Sequence, residues 1–132
     1  PTGGRAFISV NDGDKRSITS IAREVLRLGF DIVATEGTAR VLRANGVPCE
    51  EVSKIHEDDR GALGLIESGQ ISFIINTPFG TATRSDGYAI RSAAVRYGVC
   101  HVTTLAGAQA MVAGMEAAQE NMLNIIALQA LT

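Results

Sequence analysis

Cysteine is scarce in this chain, neither sign of charge predominates, and no apolar run is long. Only Cys49 and Cys100 are present, far apart and in apolar contexts. That argues against a disulfide framework and for reduced, buried thiols of a cytoplasmic protein. Net charge is −2 over 132 residues. Without a broad basic field, nucleic acid is not an expected partner, and an anionic ligand needs a local site. No apolar stretch reaches the length of a membrane span and no signal-peptide pattern opens the chain, so a membrane is not expected either. An initiating Met is also absent. The start Pro1-Thr2-Gly3-Gly4 suggests a linker remnant (residues 1–4) of a longer polypeptide, a trimmed whole protein being the plain alternative. What is present is ordinary: 45% apolar and 20% charged residues, enough for one domain with a real core.

Apolar runs alternate with helical patterns along the chain. Strands are predicted over 6–10, 30–34, 47–52, 71–76 and 99–102, the third at an edge because Pro48 sits near its start. Ile18, Ile21, Ala22, Val25 and Leu26 keep helical spacing up to Gly29, a second helix runs from Thr38 to Asn45-Gly46, and 62–66 suits a short one. Asp86 can cap a helix carrying Ile90, Ala93, Ala94 and Tyr97, and Thr103-Thr104 open another with Leu105, Ala108, Met111, Val112 and Met115 at core spacing. The apolar tail, 121–132, is expected to pack on the domain as a last helix or strand. The alternation predicts an α/β fold, a five-stranded parallel sheet between two helical layers. Ligands of such sheets bind beyond the carboxyl ends of the strands.

The loops at those ends carry the polar residues of interest. Thr35-Glu36-Gly37-Thr38 joins the second strand to a helix. Free N–H groups and the helix dipole favour an anion there, and Gly37 lets a ligand approach the backbone. A Thr-capped helix after a tight turn explains the same residues. Lys15 and Lys54 lie on loops at the same edge, and Ser9 and Asn76 lie near strand ends. Two ammonium groups, hydroxyls, an amide and a helix start suit a phosphate monoester. They supply no nucleophile. His56 lies in an acidic loop of no recognisable metal spacing, and His101 is expected to be a hydrogen-bonded core residue. Asp59 and Asp86 are the carboxylates best placed to act as a base.

Ser9-Val10 with Asp14-Lys15, Ala34-Thr35-Glu36-Gly37-Thr38-Ala39, Val52-Ser53-Lys54-Ile55-His56-Glu57, Ile74-Ile75-Asn76-Thr77-Pro78, Asp86-Gly87 with Ile90-Arg91, and Thr103-Thr104-Leu105 closely resemble the methylglyoxal-synthase-like domain. The nearest version is the one at the carboxyl end of the large subunit of carbamoyl-phosphate synthetase. The resemblance covers nearly the whole chain and implies an allosteric domain over 5–120 that binds a nucleotide monophosphate such as UMP or IMP. It implies phosphate contacts from Lys15, Thr35, Gly37 and Thr38, with Ser9, Lys54 and Asn76 around the sugar and base. Thr104 matches a stretch associated with effector response. It assigns no catalytic residue, metal or cofactor to this domain. The parent ligase would use ATP with Mg or Mn and a glutaminase small subunit, in pyrimidine and arginine synthesis. Such domains often contribute to subunit contacts, so a homo-oligomer is compatible. Glu36 and Pro78 depart from the bacterial pattern, which has His and Thr there. Methylglyoxal synthase, acting on dihydroxyacetone phosphate, is the competing reading. Its carboxylates match Asp59 and Asp86, but its histidines match Asn11 and Thr83 here. The cyclohydrolase half of a purine-biosynthesis enzyme ranks third, because its Lys-Thr-Leu-His-Pro stretch is absent.

Overall fold

A computed structural model describes residues 4–52, 61–78 and 84–131, the side chains of 84–88 and 131 excepted. The chain runs β1 (Arg5–Ser9), a 3-10 turn (Asp12–Asp14), α1 (Lys15–Arg27), β2 (Asp31–Thr35), α2 (Glu36–Ala44) and β3 (Glu50–Val52). It continues through α3 (Gly61–Glu67), β4 (Phe73–Asn76), α4 (Arg84–Tyr97), β5 (Cys100–Val102) and α5 (Leu105–Leu131). The five strands pair in the order β3-β2-β1-β4-β5, all parallel. This is the predicted α/β sheet, with β3 at an edge as Pro48 implies. The third strand is shorter than predicted, pairing with β2 only over Glu50–Val52, because Pro48 has no N–H for the ladder.

Strand alternation divides the core into two layers. Ile8, Ile32, Ala34 and Ile75 face α1, α2 and α5, where they meet Ile18, Val25, Leu42 and Val112. Phe7, Val33 and Ile74 face α3 and α4, where they meet Ala62, Ile66, Ile90 and Ala94. Each fully buried large side chain contributes about 1.5–3 kcal/mol. Gly29, Gly46, Gly69 and Gly98 follow α1 to α4 with positive φ, so each helix ends on a residue free of a Cβ penalty. Among the described residues no helix is long and apolar enough to cross a membrane.

Three expectations change. The helix after β2 starts at Glu36, so Gly37 and Thr38 form its first turn rather than a loop before it. Cys49 and Cys100 are both free, but Cys49 is half-buried and Cys100 exposed; β5 is an edge strand, and the Cys100 thiol lies 3.7 Å from the Met111 sulfur at the margin of α5. The apolar tail does not pack on the domain. It is the second half of one 27-residue helix, α5. The Gln119 side-chain amide reaches the Leu28 carbonyl at the end of α1 (3.1 Å), and residues 120–130 beyond that contact are exposed.

Candidate functional site

The sheet reverses its order of connection at β1, whose neighbours β2 and β4 lead away to opposite edges. At the carboxyl end of β1 the backbone is tied both ways. The Val10 N–H donates to the Thr38 hydroxyl at 3.1 Å, and the Asn11 N–H donates to the Thr77 hydroxyl at 2.9 Å. The Asn11 side chain then donates to the Pro78 carbonyl (2.8 Å) and accepts from the Asp14 N–H (2.9 Å), shaping the 3-10 turn that delivers Lys15. Thr77 and Asn11 are therefore part of the site's frame. The sequence offers Asn11 as the counterpart of a synthase histidine and Thr77 as part of a stretch that carries the resemblance, and shows neither tie.

Lys15 opens α1, and its ammonium donates to the Val10 carbonyl (2.8 Å) and to Asp12 (2.9 Å). Its side chain lies across the first turn of α2. A Cβ on Gly37 would come within 3.1 Å of Lys15 Cε and 3.6 Å of Nζ. Close approach is thus what glycine permits at that position. Thr35 occupies the N-cap position of α2 but makes no side-chain cap. Its hydroxyl donates instead to Ser9 Oγ at 3.0 Å. The first N–H groups of α2 are left uncapped by Thr35 beside the Lys15 ammonium, an arrangement that attracts an anion. Asp12 now neutralises that ammonium, and Lys15 holds its carboxyl below the usual carboxylate range. The Asp12 side chain is 98% exposed, so a phosphate can displace it at little cost. Glu36, also in this turn, is engaged by Arg40 at 3.3 Å on the outer surface.

Thr35, Ser9 and Asn76 form a row across β2, β1 and β4, on the α3–α4 face of the sheet. Ser9 is paired with Asn76 in register, and Thr35 follows in the strand beside them. Ser9 and Asn76 are 2% and 1% exposed, and Asn76 Nδ2 has no hydrogen-bond partner. A buried amide donor without a partner is costly in a folded chain and marks a place where a ligand or water belongs. Thr38 is wholly buried, so its hydroxyl braces β1 from behind the turn. Thr104 is exposed and caps α5, accepting from the Gly107 N–H at 2.9 Å. It follows β5, the strand beside β4, three strand spacings from the anion turn at β2. Lys54, His56, Asp59 and Thr83 lie outside the described residues, as does the side chain of Asp86. His101 is half-buried on β5 and is not the hydrogen-bonded core residue expected: its Nε2 is buried without a partner. Among the described residues no group of three or more His, Cys, Asp or Glu is placed to hold a metal ion. A shallow cavity of about 400 Å³ between Arg5, Asp31, Cys49 and Glu50 opens at the opposite, amino end of the sheet, away from this chemistry.

A family model described as the MGS-like domain matches residues 17–103. The chain belongs to the MGS-like domain family. The match runs from within α1 to just past β5 and leaves β1 outside. Among curated relatives, this MGS-like domain is 50% identical over 117 residues to a carbamoyl phosphate synthase large chain of Rubrobacter xylanophilus, covering 89% of this chain and 11% of that protein. It is also 50% identical over 121 residues to a carbamoyl phosphate synthase large chain, C-terminal section, of Methanopyrus kandleri, covering 91% of this chain and 22% of that one. It thus spans only about a tenth to a fifth of the length of such relatives. Among solved structures, a methylglyoxal synthase from Elizabethkingia anophelis superposes with a TM-score of 0.70 at 18% identity, over 85% of this chain and 78% of that one. A second, ForH, gives 0.63 at 22%, over 89% and 82%. These two likenesses establish the fold alone.

Proposed function

We propose that this MGS-like domain is the effector-binding domain of a cytoplasmic carbamoyl phosphate synthase large chain, and that it binds a nucleotide monophosphate by its phosphate. The observation that carries the reading is the Lys15 side chain laid over Gly37 at the uncapped start of α2. From that anchor the row Thr35, Ser9, Asn76 leads along the strand ends and offers hydroxyls and an amide to a sugar and base. Relatives named carbamoyl phosphate synthase large chain supply the parent. In that setting the partners are the rest of the large chain and the glutaminase small subunit, and the reaction regulated is carbamoyl phosphate synthesis for pyrimidines and arginine. The domain acts by binding its effector more tightly in one state of the whole enzyme than in another, on a usual scale of about 1–3 kcal/mol. It carries out no chemistry of its own in this reading.

Calorimetric titration with UMP and IMP tests it, with Lys15→Ala as the control and an assay for methylglyoxal formed from dihydroxyacetone phosphate alongside. The expected outcome is saturable binding to the wild type, weakened at least tenfold in Lys15→Ala for both nucleotides, in line with a lost charge-assisted contact. Turnover of dihydroxyacetone phosphate would replace this reading with the synthase.

A further inference from the structure

α5 leaves the domain at a defined point. The Gln119 amide holds the Leu28 carbonyl at the end of α1 (3.1 Å). Three residues further on, the Asp31 N–H donates to the Gly4 carbonyl (2.9 Å). The place where α5 emerges and the place where the chain enters β1 are therefore neighbours, at the amino end of the sheet. Whether further chain precedes Gly4 or follows Leu131, it joins the domain on this side. The cavity between Arg5, Asp31, Cys49 and Glu50 opens here as well.

From Gln119 to its end at Leu131 the helix extends about 18 Å. Residues 120–130 are exposed, and 121–131 include no charged side chain. Met122, Leu123 and Ile126 continue the stripe by which Ala108, Val112 and Met115 meet the core. At 3.6 residues per turn, Ile125 and Leu128 lie on other sides of the helix. A helix apolar on every side is one that is enclosed when in place. Pairing with the same helix of a second copy covers one face and leaves Leu128, almost opposite Ile126, in water. Enclosure calls for a larger neighbour. The domain spans only 11% and 22% of its two large-chain relatives, so most of such a polypeptide lies outside it. α1 connects this end to the anion site, since Lys15 is its first residue and Leu28 its C-cap.

We propose that residues 121–131 of α5 dock into an apolar seat on the remainder of the large chain that carries this domain, and pass the effector response to it. The inference rests on the parent chain proposed above and names the surface by which the domain touches that chain.

The test uses the full-length large chain with its small subunit, and the 132-residue chain as reference. Hydrogen exchange over 121–131 should be slower in the full-length chain by about a hundredfold or more. Ile126→benzoylphenylalanine, irradiated, should cross-link to a peptide of the same large chain outside the domain, with no doubling of mass. Leu123→Glu combined with Ile126→Glu should restore fast exchange in the full-length chain. It should leave UMP titration unchanged and abolish the effect of UMP on carbamoyl phosphate formation. Circular dichroism of the same pair of substitutions in the 132-residue chain checks the fold. A cross-link to a second copy or to the small subunit, or exchange as fast as in the 132-residue chain, overturns the docking. UMP control that persists with the tail released overturns its part in the response. A docked tail in an enzyme that neither binds nor answers to UMP keeps the docking and overturns the effector reading.

Discussion

Gly37 separates the demands of folding from those of binding. Its backbone is not in the left-handed region and it sits inside the first turn of α2, so nothing local requires glycine. The requirement is spatial, because an added Cβ meets Lys15 Cε at 3.1 Å. Lys15 is flexible and can move aside. Gly37→Ala should therefore keep or raise the urea midpoint, given the better helix propensity of Ala by up to about 1 kcal/mol, and still weaken UMP binding in titration. A fall in stability with unchanged binding would contradict the geometry. His101 makes a second prediction at this scale. Its folded pKa lies below the ordinary value of 6.5 through desolvation and Arg91. The unfolded chain thus takes up a proton near pH 6.5 that the folded chain refuses until lower pH, so stability is full above that point and is lost as pH falls through it. Urea midpoints at pH 7.5 and 5.5 should show a larger acid-side loss in the wild type than in His101→Phe.

At the scale of elements, α5 is two different objects. Up to Gln119 it packs Ala108 and Val112 into the core beside α1. Beyond that contact Met122, Leu123, Ile125, Ile126 and Leu128 are 49–66% exposed. A segment this short without tertiary packing is marginal as a helix in water. Hydrogen exchange should find the amides of 108–119 protected and those of 121–131 exchanging far faster. Deleting 121–132 should leave the unfolding temperature within a few degrees, as surface changes usually do. The apolar pattern of the tail gave no sign of this, because a run such as Leu123 to Leu128 looks the same whether it packs or projects. The existence of the strands and the edge position of the third were legible, since buried parallel strands are continuous apolar runs and Pro48 disfavours a central ladder; their order in the sheet was not. Nor was the hydroxyl of Thr35. Its local sequence calls for a cap, and the bond it makes is to Ser9, 26 residues away. Ser9, Asn76 and Lys15 were legible as strand-end polar groups, whereas the orphan state of His101 depends on β4–β5 pairing that no local pattern displays.

For the whole molecule, the strand order places the site where two halves of the sheet diverge, and the ties from Val10 to Thr38 and from Asn11 to Thr77 hold those halves together at the same spot. Ligand binding and global stability should therefore be coupled. An anion on Lys15 and α2 is bound by the folded chain alone, because β1, α1 and α2 must be assembled to form the site. At a ligand concentration about 100 times Kd this adds about 2.7 kcal/mol to stability. For a domain of this size the unfolding temperature should rise by about 10 °C. Calorimetric melting with saturating UMP should show that rise in the wild type and most of it lost in Lys15→Ala. Inorganic phosphate should give a smaller rise that also depends on Lys15, because it fills the anchor without reaching Asn76. Equal shifts from phosphate and UMP would mean that the row of strand-end groups adds nothing to recognition, and that the site is an anion trap rather than a nucleotide site.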